Sequence, residues 1–145
     1  MQIEDSIRFR PYIQSNDQAF VFSTWLKNYR HSSYFAKRIR SSIFFPGHQK
    51  VLELLFEKPT LRVVVATPID DDQTILGYLA AEFHHSKPVI HFIFIKDAFR
   101  NMGIAKALVN FVKIDLNEVQ FTHWTIPVDD FIRKYPNMLY NPYCL

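Results

Sequence analysis

Ile95-Lys96-Asp97-Ala98-Phe99-Arg100-Asn101-Met102-Gly103-Ile104-Ala105-Lys106-Ala107-Leu108 is the stretch on which the fold turns. It opens at the end of an apolar run, Val89 to Ile95, that suits a central strand, with His91 as its one polar interruption. It closes inside a helical pattern, because Ile104, Ala107, Leu108, Phe111, Val112 and Leu116 recur on one face and predict a long amphipathic helix. A buried strand feeding a helix directly exposes backbone N–H groups that have no partner within the helix. With the helix dipole behind them, such donors favour an anion by roughly 0.3–1 kcal/mol at an exposed site and up to ~2 kcal/mol when partly buried. Gly103 has no Cβ to keep a phosphate from the backbone.

Upstream of this unit, Leu61 to Ala66 and Thr74 to Phe83 are apolar, strand-like runs. Pro68-Ile69-Asp70-Asp71-Asp72-Gln73 between them is turn-forming, so the pair predicts an antiparallel hairpin. Ile7-Arg8-Phe9-Arg10 alternates apolar and charged residues as a half-buried strand does, and Pro11 closes it. Ser15-Asn16-Asp17-Gln18 has the spacing of a capping box ahead of Phe22, Trp25, Leu26 and Tyr29, which mark a first helix. Arg30 to Phe45 has no clean period and is expected to mix helix and loop. Pro46 then suits the first position of a helix whose stripe is Val51, Leu52, Leu55 and Phe56. Downstream, Phe121 to Ile126 predicts a strand, Pro127 to Tyr135 a helix with Asp129 and Asp130 in its first turn, and Met138 to Tyr143 a last strand. The order β-α-α-β-β-β-α-β-α-β implies an α/β domain of α+β character, a mixed sheet with helices on both faces.

The composition narrows the functional classes. A chain of 145 residues, 48% hydrophobic and 21% charged, is expected to form a single domain over 1–145 and to bury roughly 68–70% of its unfolded surface. The longest apolar runs fall far short of the ~20 residues of a membrane helix, and Met1-Gln2-Ile3-Glu4-Asp5 does not read as a secretory leader. A cytoplasmic location without a membrane partner is therefore expected. One cysteine, Cys144, excludes an intrachain disulfide and a cysteine-rich metal site, and no metal ligand set is expected. The net charge of +3 is local in origin, since Gln18 to Leu52 holds six of the 17 basic residues and none of the 14 acidic ones.

Arg100-x-x-Gly103-x-Ala105 resembles the acetyl-CoA motif [Gln/Arg]-x-x-Gly-x-[Gly/Ala] of the GNAT (GCN5-related) N-acetyltransferase family. Ile95 and Phe99 hold the apolar positions usual before that motif, and the predicted elements, including a strand that carries Gly77-Tyr78, follow the family's order over most of the chain. The resemblance implies a GNAT fold in which the strands Val89 to Ile95 and Phe121 to Ile126 lie parallel and splay apart around the pantetheine arm of coenzyme A. It implies that Ile93, Phe94 and Ile95 bind the arm and the thioester carbonyl. The N–H groups of Arg100, Asn101, Met102, Gly103, Ile104, Ala105 and Lys106 would take the pyrophosphate. Two departures stand out: Asn101 occupies a position where a second glycine is frequent, and Pro127-Val128-Asp129-Asp130 lacks an asparagine that often touches the cofactor.

Acyl transfer to an amine needs a route for the amine's proton and donors for the developing oxyanion. His91 and Glu82 are candidate bases, as both lie on strands expected to border the cleft. The family's helical tyrosine, which protonates the departing thiolate, has its nearest counterpart in Tyr135, with Phe131 or Ile132 in the usual slot. The expected partners are acetyl-CoA and a small-molecule or peptide amine. The basic 27–40 region would favour an acceptor that also carries phosphate or carboxylate. No nucleic-acid motif is present, and the oligomeric state, a dimer included, stays open. The alternative is a degenerate GNAT fold without turnover that engages an acidic partner through the same basic region.

Overall fold

Every residue of the strand Gly77–Glu82 is buried, so it lies at the centre of the sheet with structure on both faces. The computed structural model describes residues 5–145. Among them, β1 (Ile7–Pro11), β2 (Leu61–Pro68), β3 (Gly77–Glu82), β4 (Val89–Ile95), β5 (Gln120–Phe121) and β6 (Leu139–Tyr140) form one sheet in sequence order. The first four strands are antiparallel, and β5 and β6 continue the sheet in parallel. Helices α1 (Gln14–Ser32) and α2 (Ser41–Glu57) cover one face, burying Trp25, Leu26, Leu52 and Leu55 against Val63, Val65 and Phe92. On the other face α3 (Ile104–Phe111) buries Ile104, Ala107 and Leu108 against Leu79 and Ile90. Trp25 stacks on Phe92 with ring centroids 4.8 Å apart, and burial of each such side chain contributes about 1.5–3 kcal/mol.

Several elements differ from their sequence patterns, each for a local reason. The first helix begins at Gln14, ahead of the capping-box residues, because the Asp17 carboxylate reaches back to the N–H of Ile13 at 2.8 Å while Arg10 grips it from β1. Pro46 does not begin α2; it lies inside, five residues past Ser41. The first turn closes on the carbonyl of Arg40, which receives the N–H groups of Ile43 and Phe44, and this carries Phe44 into the core. The carbonyl that Pro46 leaves unserved belongs to Ser42, in the exposed first turn.

The third helix is shorter than its stripe, which runs on to Leu116. Lys113 takes φ 60° and the chain folds back, with Ile114 N–H on Val109 carbonyl and Lys113 N–H on Asn110 carbonyl. Ile114 and Leu116 therefore reach the core from a loop. The strand expected over 121–126 stops at Phe121, after which one more contact, Thr122 N–H to Ile90 carbonyl, precedes the departure. Ile126 N–H then bonds Ser32 carbonyl, drawing this segment toward the end of α1. The last strand spans only Leu139–Tyr140, since Pro142 offers no ladder donor. Helix α4 (Val128–Lys134) falls where expected.

Candidate active site

The early departure of β5 makes the site. β4 pairs with β5 only at Val89 and Ile90, so its outer edge beyond that point has no strand beside it. A groove of about 580 Å³ fills the gap, walled by β4, the loop before α3 and helix α4. Opposite the divergence, β4 carries a bulge: Ala81 faces Ile90 and Ala80 faces Phe92, leaving His91 as the extra residue. Gly77 is required across from Ile95, because a Cβ there would lie 2.5 Å from the Phe94 carbonyl oxygen.

The loop between β4 and α3 holds Asn101 at φ 63° and Gly103 at φ 84°, both left-handed, so its backbone folds tightly over the helix start. The bond from Ala107 N–H to Gly103 carbonyl begins the helix. The N–H groups of Ile104, Ala105 and Lys106 are therefore left without helical acceptors. Ile93, Phe94 and Ile95 line the groove from β4; Arg100, Asn101, Gly103, Ile104, Ala105 and Lys106 line it from the loop. Met102 points elsewhere, as it is 48% exposed and outside the lining. Arg100 is tethered to its own loop, with Nε on Ile95 carbonyl at 3.1 Å and a guanidinium nitrogen 3.0 Å from Asp97. Lys106 and Lys134 bring further positive charge to the wall.

The predicted bases occupy unlike places. Glu82 is wholly buried and lies outside the groove lining. Burial pushes its carboxyl up, but hydrogen bonds from Thr60, Lys58 and His91 together outweigh that and hold it down at about 2, so it stays ionised. His91 lines the groove while Nε2 sits 2.8 Å from Glu82 and Nδ1 3.0 Å from Thr122 Oγ1. Burial lowers its pKa, with Glu82 opposing. Tyr135 packs on the core beside α3, outside the groove lining, and Phe131 takes the groove-facing position on α4.

The sequence did not single out His123 or His48. His123 lines the groove and also a second, apolar pocket of about 350 Å³ walled by Tyr29, Phe35, Ile39, Ile43, Phe44 and Tyr140. Its Nδ1 is 2.9 Å from Thr122 Oγ1, and its Nε2 is 2.9 Å from Nε2 of His48 on α2. Burial lowers both rings, His48 to about 4 and His123 well below its ordinary value, where His48 and His91 add to the effect. The one available signal was the polar run Thr122-His123 inside an apolar strand pattern. Of the basic segment, Lys27, Lys37, Arg38 and Arg40 are exposed, and the second pocket is lined instead by its apolar members Tyr29, Phe35, Ala36 and Ile39. Two neighbouring features complete the picture. Glu82, His84 and His85 bring ligand atoms within 4.8 Å of one another, but the Lys58 ammonium already occupies Glu82 at 2.9 Å and opposes a cation there. No helix is long and apolar enough to cross a membrane among the described residues.

The sequence matches the family model described as "Acetyltransferase (GNAT) family" over residues 18–131. A GCN5-related N-acetyltransferase from Ralstonia eutropha JMP134 shares the fold, with a TM-score of 0.61 at 14% identity over 88% of this chain and 90% of that one. The aminoglycoside acetyltransferase meta-AAC0020 from an uncultured soil metagenomic sample, solved with sisomicin, gives a TM-score of 0.53 at 17% identity over 93% and 88% of the two chains. AAC(6')-Iy in complex with the bisubstrate analog CoA-S-monomethyl-acetylneamine gives 0.52 at 16% identity over 88% and 85%. No curated protein matches the sequence.

Proposed function

Because the chain belongs to the GNAT acetyltransferase family, we propose that it is an acetyl-CoA-dependent N-acetyltransferase that moves the acetyl group directly onto a primary amine. The observation that carries this reading is the groove itself: an unpaired edge of β4 leading to a helix start whose N–H groups have no helical acceptors. That arrangement fits an extended thiol arm ending in a pyrophosphate. The N–H groups of Ile104, Ala105 and Lys106 would hold the phosphates, supported by Lys106 and Lys134. Backbone groups of Ile93 and Ile95 would hold the arm and the thioester carbonyl. When bound, acetyl-CoA supplies the activated acetyl group, and the protein's task is to position it and to deal with the amine's proton.

The amine would enter through the second pocket, which meets the groove at His123. Its walls are aromatic and aliphatic, and burial keeps its two histidines uncharged near neutrality, so it suits an amine with an apolar body. The charge distribution along the sequence suggests a different class, an acidic acceptor; the exposure of Lys27, Lys37, Arg38 and Arg40 leaves that class without lining groups to recognise it. The same exposure is all that supports a module that binds an acidic partner without turnover. A cytoplasmic location belongs to the enzymatic reading.

Incubating the protein with acetyl-CoA and 2-phenylethylamine, with spermidine in parallel, and detecting the acetylated amine by mass spectrometry tests this reading. Acetyl-phenylethylamine formed faster than acetyl-spermidine supports it. Absence of any acetylated amine across a panel of apolar and polar primary amines counts against it.

A further inference from the structure

Five side chains from α2, β3, β4 and the end of β5 form one unbroken hydrogen-bonded line. His48 Nε2 meets His123 Nε2 at 2.9 Å, His123 Nδ1 meets Thr122 Oγ1 at 2.9 Å, Thr122 Oγ1 meets His91 Nδ1 at 3.0 Å, and His91 Nε2 meets Glu82 Oε1 at 2.8 Å. We propose that this line fixes the histidine tautomers so that His48 Nδ1 is left bare to take the proton of the acceptor amine, with the carboxylate of Glu82 as the anchor of its far end. The proposal rests on the acetyl-transfer reading above.

The direction of every bond follows from its last member. An ionised carboxylate only accepts, so His91 Nε2 carries the proton that it donates to Glu82. His91 Nδ1 is then bare and must accept from the hydroxyl of Thr122. That hydroxyl, having given its hydrogen, accepts from Nδ1–H of His123. Nε2 of His123 is bare in turn and accepts from Nε2–H of His48. The remaining nitrogen, His48 Nδ1, is a free acceptor, and His48 lines the apolar pocket and is the half-buried end of the line. A proton taken up there leaves every bond of the line in place, because His48 keeps its Nε2–H on His123 and Glu82 stays an acceptor.

The atoms balance. The amine nitrogen bonds to the thioester carbonyl carbon, and the carbon–sulfur bond breaks with its electron pair on sulfur. The nitrogen's proton goes to His48 Nδ1, and the sulfur takes a proton from water at the open groove. The titratable groups acting on His123 are His48 from α2 and His91 from β4, while Trp25 and Tyr29 of α1 and Phe92 of β4 close around it with uncharged rings.

Thr122 is the link to cut, because Thr122→Val preserves its shape and removes the hydroxyl, whereas Thr122→Ser keeps the hydroxyl. With acetyl-CoA and 2-phenylethylamine, Thr122→Val should lower kcat by about 10²-fold, the scale of lost general-base assistance, with KM for acetyl-CoA unchanged; Thr122→Ser should restore it. A Thr122→Val variant with parental kcat overturns the proposal. Independently of turnover, long-range ¹H–¹⁵N spectra of the full chain at pH 7 should place the ring protons on Nε2 of His91, Nδ1 of His123 and Nε2 of His48. Any other tautomer at His123 overturns the proposal and leaves the acetyltransferase reading standing. Failure of the parent chain to bind acetyl-CoA overturns that reading first.

Discussion

His48 and His123 face each other Nε2 to Nε2 at 2.9 Å across 75 residues of chain, so one ring donates and the other accepts, and a proton added to the accepting nitrogen breaks that bond. The pair sits among Tyr29, Phe44, Trp25 and Phe92, whose rings contact one or both imidazoles.

Acid should therefore weaken the fold well before the carboxylates titrate. The folded-state pKa values of His48, His91 and His123 lie below the ordinary value of 6.5, so between that value and about 4 the unfolded chain binds protons that the native one excludes. Stability then falls with pH, by up to about 1.4 kcal/mol per pH unit for each group while its folded form stays neutral. Glu82, held at about 2, has its stabilising contribution intact well above its ordinary 4.5 and adds little slope at pH 5 and above. Melting temperatures at pH 7.5, 6 and 5 should drop steadily, and His48→Gln should flatten the curve. A melting temperature constant over that range would show the histidines to be solvated.

Gly103→Val should abolish acetyl-CoA binding at a modest cost to the fold. A β-branched residue forced to φ 84° costs roughly 1–2 kcal/mol, and its methyl groups would stand where the phosphates meet the backbone. Calorimetric titration and thermal melts separate the two effects. Parental affinity in the variant would mean that the phosphates are held elsewhere.

Arg10→Ala should destabilise the protein more than a surface mutation does, by about 3–5 kcal/mol, because Asp17, with 1% of its side chain exposed, would keep a buried charge without its partner. Arg10→Ala, Asp17→Asn should recover part of that loss. Denaturant unfolding of the three chains measures it, and a cost under 1 kcal/mol for the single variant would place Asp17 in contact with water.

The strand, loop and helix from Val89 to Leu108 were legible because their signals are local: apolar period, a glycine at a left-handed position and a basic flank lie within twenty residues of one another. The boundaries were less so. Pro46 looks like a helix start, yet Phe44 gains more by entering the core from an earlier turn. Leu116 sits in phase with α3 although Lys113 ends that helix by folding back, and a buried loop residue can keep helical spacing by chance. His91 was visible as a polar break in an apolar strand. His48 and Thr122 were not, since what makes them a unit is tertiary contact between α2, the end of β5 and the β4 bulge.

The central claim, that the groove beside β4 holds acetyl-CoA, is tested most directly by following the melting temperature while titrating the parent chain with acetyl-CoA. Ligand at 100 times its dissociation constant should add about 2.7 kcal/mol of stability, and the rise should vanish in Gly103→Val. A melting temperature that stays flat to millimolar acetyl-CoA would contradict the account.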